Sequence, residues 1–176
     1  LWLAWLWPVV ALAQPVVINE IHYDPDIKTE PLEFIELHNP GPAAVDLSGY
    51  RFSAGVDYTF PPGASIAPGG YVVVAEDPVY LNATYGVTAY GPWTGQLSND
   101  GETVRLRDAR GNEVDEVDYR TEFPWPIGCA GEGGSLELIN PTLDNNLAGS
   151  WRASNLPGTA GSTNETVLLP AQSTGW

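Results

Sequence analysis

The sequence predicts an all-β chain, a β-sandwich of about eight or nine short, mostly antiparallel strands, and three observations predict it. Short apolar or alternating runs recur, with turn signals roughly every eight to twelve residues. Glycine (19) and proline (16) are abundant but scattered without a period, in 176 residues that show no long helical pattern. The stretch from Leu97 to Tyr119, LSNDGETVRLRDARGNEVDEVDY, reads as a complete hairpin. No internal repeat is present, which argues against propellers and solenoids.

Taken in order, the first thirteen residues, LWLAWLWPVVALA, form an uncharged apolar run that ends in Ala11-Leu12-Ala13. This is the pattern of a signal-peptide apolar region with a cleavage site before Gln14, and it is too short to span a bilayer. Residues 1–13 are therefore expected to be a signal peptide, truncated at its start because neither Met nor a basic segment precedes the run. Val16 to His22 reads as the first strand, stopped by Tyr23-Asp24-Pro25-Asp26, and Phe34 to Asn39 as the second, stopped by Pro40-Gly41-Pro42. Val45-Asp46-Leu47, Tyr50-Arg51-Phe52 and Asp57 to Phe60 follow as short strands. Tyr71 to Ala75 is apolar throughout, the mark of a strand buried on both faces. A helical turn fits only around Val79 to Tyr85.

In the hairpin, Thr103 to Arg107 alternates strictly, sending Val104 and Leu106 to one face and Arg105 to the other. Asp108 to Asn112 is the loop, with Gly111 supplying a positive φ. The return run Glu113 to Tyr119 spaces Val114 and Val117 three apart, so a β-bulge is expected at Asp115-Glu116. Ser135 to Ile139 is the last clear strand, and Trp151 is expected to cap the core. From Gly158 onward the composition is that of a linker.

Hydrophobic residues make up 43% of the chain, enough for a packed core. Against 22 acidic side chains stand 7 Lys and Arg, a formal net charge of -15. That balance argues against nucleic acid and anionic lipid as partners, since both need cations on the protein. Cys129 is the only cysteine, so no internal disulfide can form; a buried, inert thiol or a pairing between chains both fit. The fold is expected to need neither metal nor cofactor.

Glu20, His22, Glu36 and His38 are the one constellation with metal-ligand chemistry, and period two puts each Glu and His pair on one strand face. The alternative is structural, each Glu accepting from a strand edge or loop amide and each His covering a sheet face. Asp24-Pro25-Asp26 offers a carboxylate pair for a hard cation, or simply a turn at Pro25. Ser98 to Glu102 is oxygen-rich but lacks calcium-loop spacing. No nucleophile elbow or phosphate loop is present, and no catalytic residue is assigned. Tyr90, Trp93, Phe123 and Trp125 would serve either as a stacking platform for sugars or peptides or as a plug for one end of the sandwich. Asn82-Ala83-Thr84 and Asn164-Glu165-Thr166 match the glycosylation acceptor pattern, which is common by chance.

Read together, VVINEIHYDP, EFIELHNPG, VDLSGYRFS, YTFPPGASIAPGGYVVVAED, LSNDGETVRLRD, VDEVDY and SLELINP resemble the lamin tail domain family, over roughly Val16 to Gly161. The resemblance implies an immunoglobulin-like sandwich and is closest to the exported bacterial branch. Together with the apolar run at the start and the linker composition at the end, it divides the chain into a signal peptide (1–13), the domain (14–161) and a linker (162–176) towards further domains. It implies a secreted or cell-surface, non-catalytic module that binds protein, glycan or cell-envelope components within a multidomain protein. The alternative is an accessory, substrate-positioning domain of a secreted nuclease, phosphoesterase or spore-coat-protein-H-type kinase. The family's nuclear members contact nucleic acid and protein, and the acidic balance argues against the former here.

Overall fold

The computed structural model describes residues 16–131, 133–154 and 159–164. The expected signal peptide, 1–13, and most of the 162–176 segment lie outside the described residues. Among the described residues twelve strands form: β1 (Val17–His22), β2 (Phe34–His38), β3 (Val45–Asp46), β4 (Arg51–Ala54), β5 (Tyr58–Thr59), β6 (Ser65–Ile66), β7 (Tyr71–Ala75), β8 (Ala89–Tyr90), β9 (Glu102–Arg107), β10 (Glu113–Tyr119), β11 (Leu136–Leu138) and β12 (Trp151–Ala153). They build a six-stranded sheet in the order β12-β11-β1-β2-β7-β8, a four-stranded sheet β10-β9-β4-β5, and a small β3-β6 pair. Pairing is antiparallel except between β7 and β8. The fold is the expected all-β, immunoglobulin-like sandwich. The strands beyond those expected, β6, β8 and β12, are two or three residues long. Neighbouring strands recruit them by hydrogen bonding, which leaves no alternation to read in sequence.

The main core lies between the sheets, where Ile18, Ile21, Ile35, Leu37, Phe52, Val74, Val104, Leu106, Val117 and Tyr119 are all fully buried. A second, smaller core covers the other face of the six-stranded sheet: Phe34, Val73 and Ala75 pack against Leu32 and Leu81. The expected two-sided burial of the Tyr71 to Ala75 run is thus realised, with Val74 in one core and Val73 in the other. Leu81 comes from α1 (Pro78–Tyr85), started by the Asp77 carboxylate, which accepts from the Val79 and Tyr80 amides at 3.0 Å, and closed by Gly86 at φ 73°.

The hairpin carries its expected faces: Val104, Leu106, Val117 and Tyr119 inward, Arg105 and Arg107 partly exposed. Its turn is held by Asp108, which accepts from the amides of Arg110 and Asn112, and Gly111 sits at φ 89°. The bulge, however, falls one residue earlier than expected. Glu113 pairs with Arg107 and Asp115 with Leu106, so Val114 is the extra residue. Asp115 is drawn inward among apolar neighbours, and that inward acid is what breaks the alternation. Leu106→Ala should cost about 3 kcal/mol through lost burial and a residual cavity, whereas Arg105→Ala should leave the denaturation midpoint close to that of the wild type. Equal losses for the two would show the faces reversed.

Candidate functional site

Antiparallel pairing of β1 with β2 sets Glu20 directly opposite Glu36 and sends the two histidines to opposite ends, His22 facing Phe34 and His38 facing Val17. The glutamates meet; the histidines do not join them. On the other side of Glu20 stands Glu137 of β11. The His22 ring nitrogens lie 2.9 Å from Leu32 O and 3.1 Å from Gly133 O, and burial lowers its pKa against the pull of both carbonyls. His38 places Nδ1 3.0 Å from Gly70 O and stacks on Tyr71 at 4.4 Å, with its pKa also lowered by burial. Asp24 is buried and paired with Lys28, while Asp26 is exposed and accepts from the Ile27 amide, the arrangement of a turn. Among the described residues no group of three or more His, Cys, Asp or Glu is disposed to hold a metal ion.

The carboxyl row Glu137–Glu20–Glu36 runs across three strands and is fully buried. Glu137 Oε2 accepts from Arg152 Nε and Nη2 at 3.0 and 2.9 Å. Glu20 Oε1 accepts from the Ser135 hydroxyl and, at 3.2 Å, from the Thr159 amide. Glu36 accepts from Asn19 Nδ2 at 2.8 Å and from the Gly161 amide at 2.5 Å. Burial pushes Glu20 up to about 7 and Glu36 up to about 8, and repulsion between the two adds to the rise at Glu36. The cover is the strap 159–164, whose contacts continue past Gly161 to Asn164, which donates to Asn19 O at 3.1 Å and Leu138 O at 2.8 Å. Loop amides, at Thr159 and Gly161, are thus among the donors to Glu20 and Glu36, beside the Ser135 and Asn19 side chains. Glu137, Arg152 and Thr159 escaped the sequence reading, because only strand order reveals which residues flank Glu20.

The aromatic candidates separate in the same way. Trp93 and Trp125 are buried, Tyr90 packs on the core, and Trp125 lies tilted by 34° against Trp151 with centroids 6.2 Å apart. Phe123 alone stands out, 90% exposed. Cys129 is buried, points its thiol at Ser135 O 3.0 Å away, and burial pushes it up to about 12. It faces neither histidine, so no thiolate–imidazole pair exists among the described residues.

Two of the concavities in the described surface bear on the site. One, of about 290 Å³, is lined mainly by polar groups including Asp24, Glu33 and Glu76; Glu33 accepts from the Leu97 amide at 2.9 Å and burial pushes it up to about 7. The other is a groove of about 780 Å³ running along β10. Val17, Pro42, Val114 and Leu143 supply apolar lining, and Glu113, Glu116 and Asp144 acidic lining. Glu113 and Glu116 share Arg105. One wall is β10 itself, an edge strand of its sheet. The groove is shaped by Asp115, whose Oδ2 accepts from the Ile18 amide at 2.6 Å and Asn145 Nδ2 at 2.7 Å, while Oδ1 accepts from the Glu116 amide at 3.0 Å. One carboxyl thereby ties β1, β10 and the loop at Asn145 together. Burial outweighs these donors and pushes Asp115 up to about 6.

A family model described as Lamin Tail Domain matches residues 10–121, and no curated protein matches the chain. The matched span includes β1 to β10. The Glu137 end of the carboxyl row, the strap and the Asp144 side of the groove lie beyond it.

Proposed function

The chain belongs to the lamin tail domain family, and we propose that it is a non-catalytic recognition module of a larger exported protein, seating an extended, basic segment of a partner protein in the groove between Pro42 and Leu143. The observation that carries this reading is the pairing of apolar with acidic lining in that groove. Apolar lining gives burial, and acidic lining on a chain of formal charge -15 steers cationic partners towards it. The edge strand β10 forms the wall along which an extended ligand would lie. Export is supported by the apolar run ending in Ala11-Leu12-Ala13. A non-catalytic role is supported by His22, Glu20 and Cys129, whose polar atoms meet backbone and side-chain partners within the fold.

The test is an array of basic, proline-containing peptides alongside glycans and envelope fragments, probed with the full chain. Basic peptides should bind, and Leu143→Arg should weaken them at least tenfold without unfolding the protein, because Leu143 is 43% exposed. Binding confined to glycans or envelope polymers, or indifferent to Leu143→Arg, would overturn the groove assignment. Hydrolysis or phosphoryl transfer by the chain would overturn the non-catalytic one. Duplex DNA should show no measurable binding at physiological salt, given 22 acids against 7 bases. Sub-micromolar, salt-sensitive binding would restore a nucleic-acid role.

A further inference from the structure

We propose that the polar cavity lined by Glu30, Glu33 and Glu76 is a binding site for one guanidinium group, at the opposite end of β1 from the groove. The groove takes in Val17, where β1 begins, and the cavity takes in Asp24, just past its end at His22; the two share no lining residue. β2 and β7 pair Phe34 with Ala75. The next residues outward, Glu33 and Glu76, continue that ladder, with the Glu76 amide donating to Glu33 O at 3.0 Å. Two acids directly opposite in a sheet repel unless a cation stands between them. The cavity's own cation is Lys28, the only lysine of the chain, and it is paired with Asp24. Among the described residues no ion pair reaches Glu30, Glu33 or Glu76.

Glu33 shows what the cavity lacks. The residue is only 8% exposed, and Glu76 and Glu102 both repel it. Its Oε2 accepts from the Leu97 amide, while its Oε1 meets no donor among the described residues. The other buried acids are better served. Asp24 and Glu137 each hold a cation, and Glu20, Glu36 and Asp115 each collect two or more donors. Buried side-chain atoms without a partner are confined, among the described residues, to the Tyr23 hydroxyl and Trp93 Nε1. Glu33 Oε1 is therefore not sealed in; it opens on the cavity that Glu33 lines. A carboxylate nine-tenths buried, with one oxygen open and acids around it, is complementary to a donor that carries positive charge. Among the described residues no three His, Cys, Asp or Glu are disposed to hold a metal ion, so the fitting cation is one that brings N–H donors. A guanidinium carries several in one rigid fork, enough to bond Glu33 and Glu76 together, and it sheds water more readily than an ammonium. At about 290 Å³ the cavity has room for that group and its first methylenes, not for an extended ligand.

Titration of the full chain with ethylguanidinium near pH 8, followed through the amide NMR shifts, tests the site; Glu33, which burial pushes up to about 7, is then ionised. The Leu97 and Glu76 amides should shift and saturate. Glu33→Gln keeps an acceptor for the Leu97 amide and should weaken binding roughly tenfold or more. Glu76→Gln should weaken it too, and decides the matter should Glu33→Gln fail to fold. Tetramethylammonium, a cation without N–H donors, should leave Leu97 in place at equal ionic strength. A capped Gly-Arg-Gly peptide that binds more tightly than ethylguanidinium assigns the cavity to an arginine side chain of a partner. Equal or weaker binding by the peptide assigns it to a free guanidinium compound, and either result supports the site. Shifts that never saturate, that tetramethylammonium reproduces, or that survive both substitutions unchanged overturn the proposal. So does a response centred on the groove amides of Val114 and Glu116 instead of Leu97.

Discussion

Asp115→Ala is expected to destabilise the domain by roughly 4 kcal/mol. The substitution leaves three donors without their acceptor: the Ile18 amide, Asn145 Nδ2 and the Glu116 amide. Ile18 is fully buried and Asn145 nearly so, and each buried unsatisfied donor costs about 1–3 kcal/mol. Asp115→Asn keeps one acceptor oxygen and should lose less than half as much. Denaturant unfolding of both variants, compared with Leu106→Ala as a packing reference, gives the ranking. A loss under about 1 kcal/mol for the alanine variant would mean that water reaches those donors and that Asp115 is not the tie between the sheets. The loop at Asn145 forms one side of the groove, so Asp115→Ala should also weaken any groove ligand.

Asp115 marks where sequence reasoning ends. The hairpin was legible because alternation is a local signal, and Val104, Leu106 and Val117 declare their face within a few residues. The break in that alternation was legible too, as the three-residue gap from Val114 to Val117. Its position was not, because an aspartate in a strand normally points to water, and only Ile18 and Asn145, far off in the chain, make an inward carboxylate tolerable. The same reasoning explains the row at Glu20. Residue type and period placed Glu20 and Glu36 on strand faces and left open whether they met. Their antiparallel register then brought the glutamates together and parted His22 from His38. The covering contact comes from Thr159, 139 residues away from Glu20. A glycine- and serine-rich tail carries no periodicity that would announce such a docking.

The domain is also expected to be more stable in mild acid than in mild base, by on the order of 4 kcal/mol between pH 4.5 and 8. Glu20, Glu33 and Glu36 are raised from 4.5 to about 7, 7 and 8, and Asp115 from 3.8 to about 6, in each case chiefly by burial. Raised carboxyls bind a proton more tightly in the folded chain than in the unfolded one. Between the two values the folded chain holds a proton that the unfolded chain has lost, so stability falls as pH rises, by about 1.4 kcal/mol per pH unit and group. The shifts of Glu20 and Glu36 share one repulsion and do not add. His22 and His38, lowered by burial, act in the opposite sense, but only below their ordinary value of 6.5. The window from pH 6.5 to 8 is therefore free of them, and there the carboxyl row alone should cost about 2 kcal/mol, or roughly 4–8 °C in unfolding midpoint for a domain of this size. Thermal unfolding at these two pH values measures this drop together with that of Glu33, which titrates in the same window. Glu36→Gln should flatten most of it, because the neutral amide keeps an acceptor for the Gly161 N–H without a charge to desolvate. A midpoint that is constant or rises from pH 6.5 to 8, or an equal slope in Glu36→Gln, would show that the row is ionised and solvated throughout, and that the strap does not seal it.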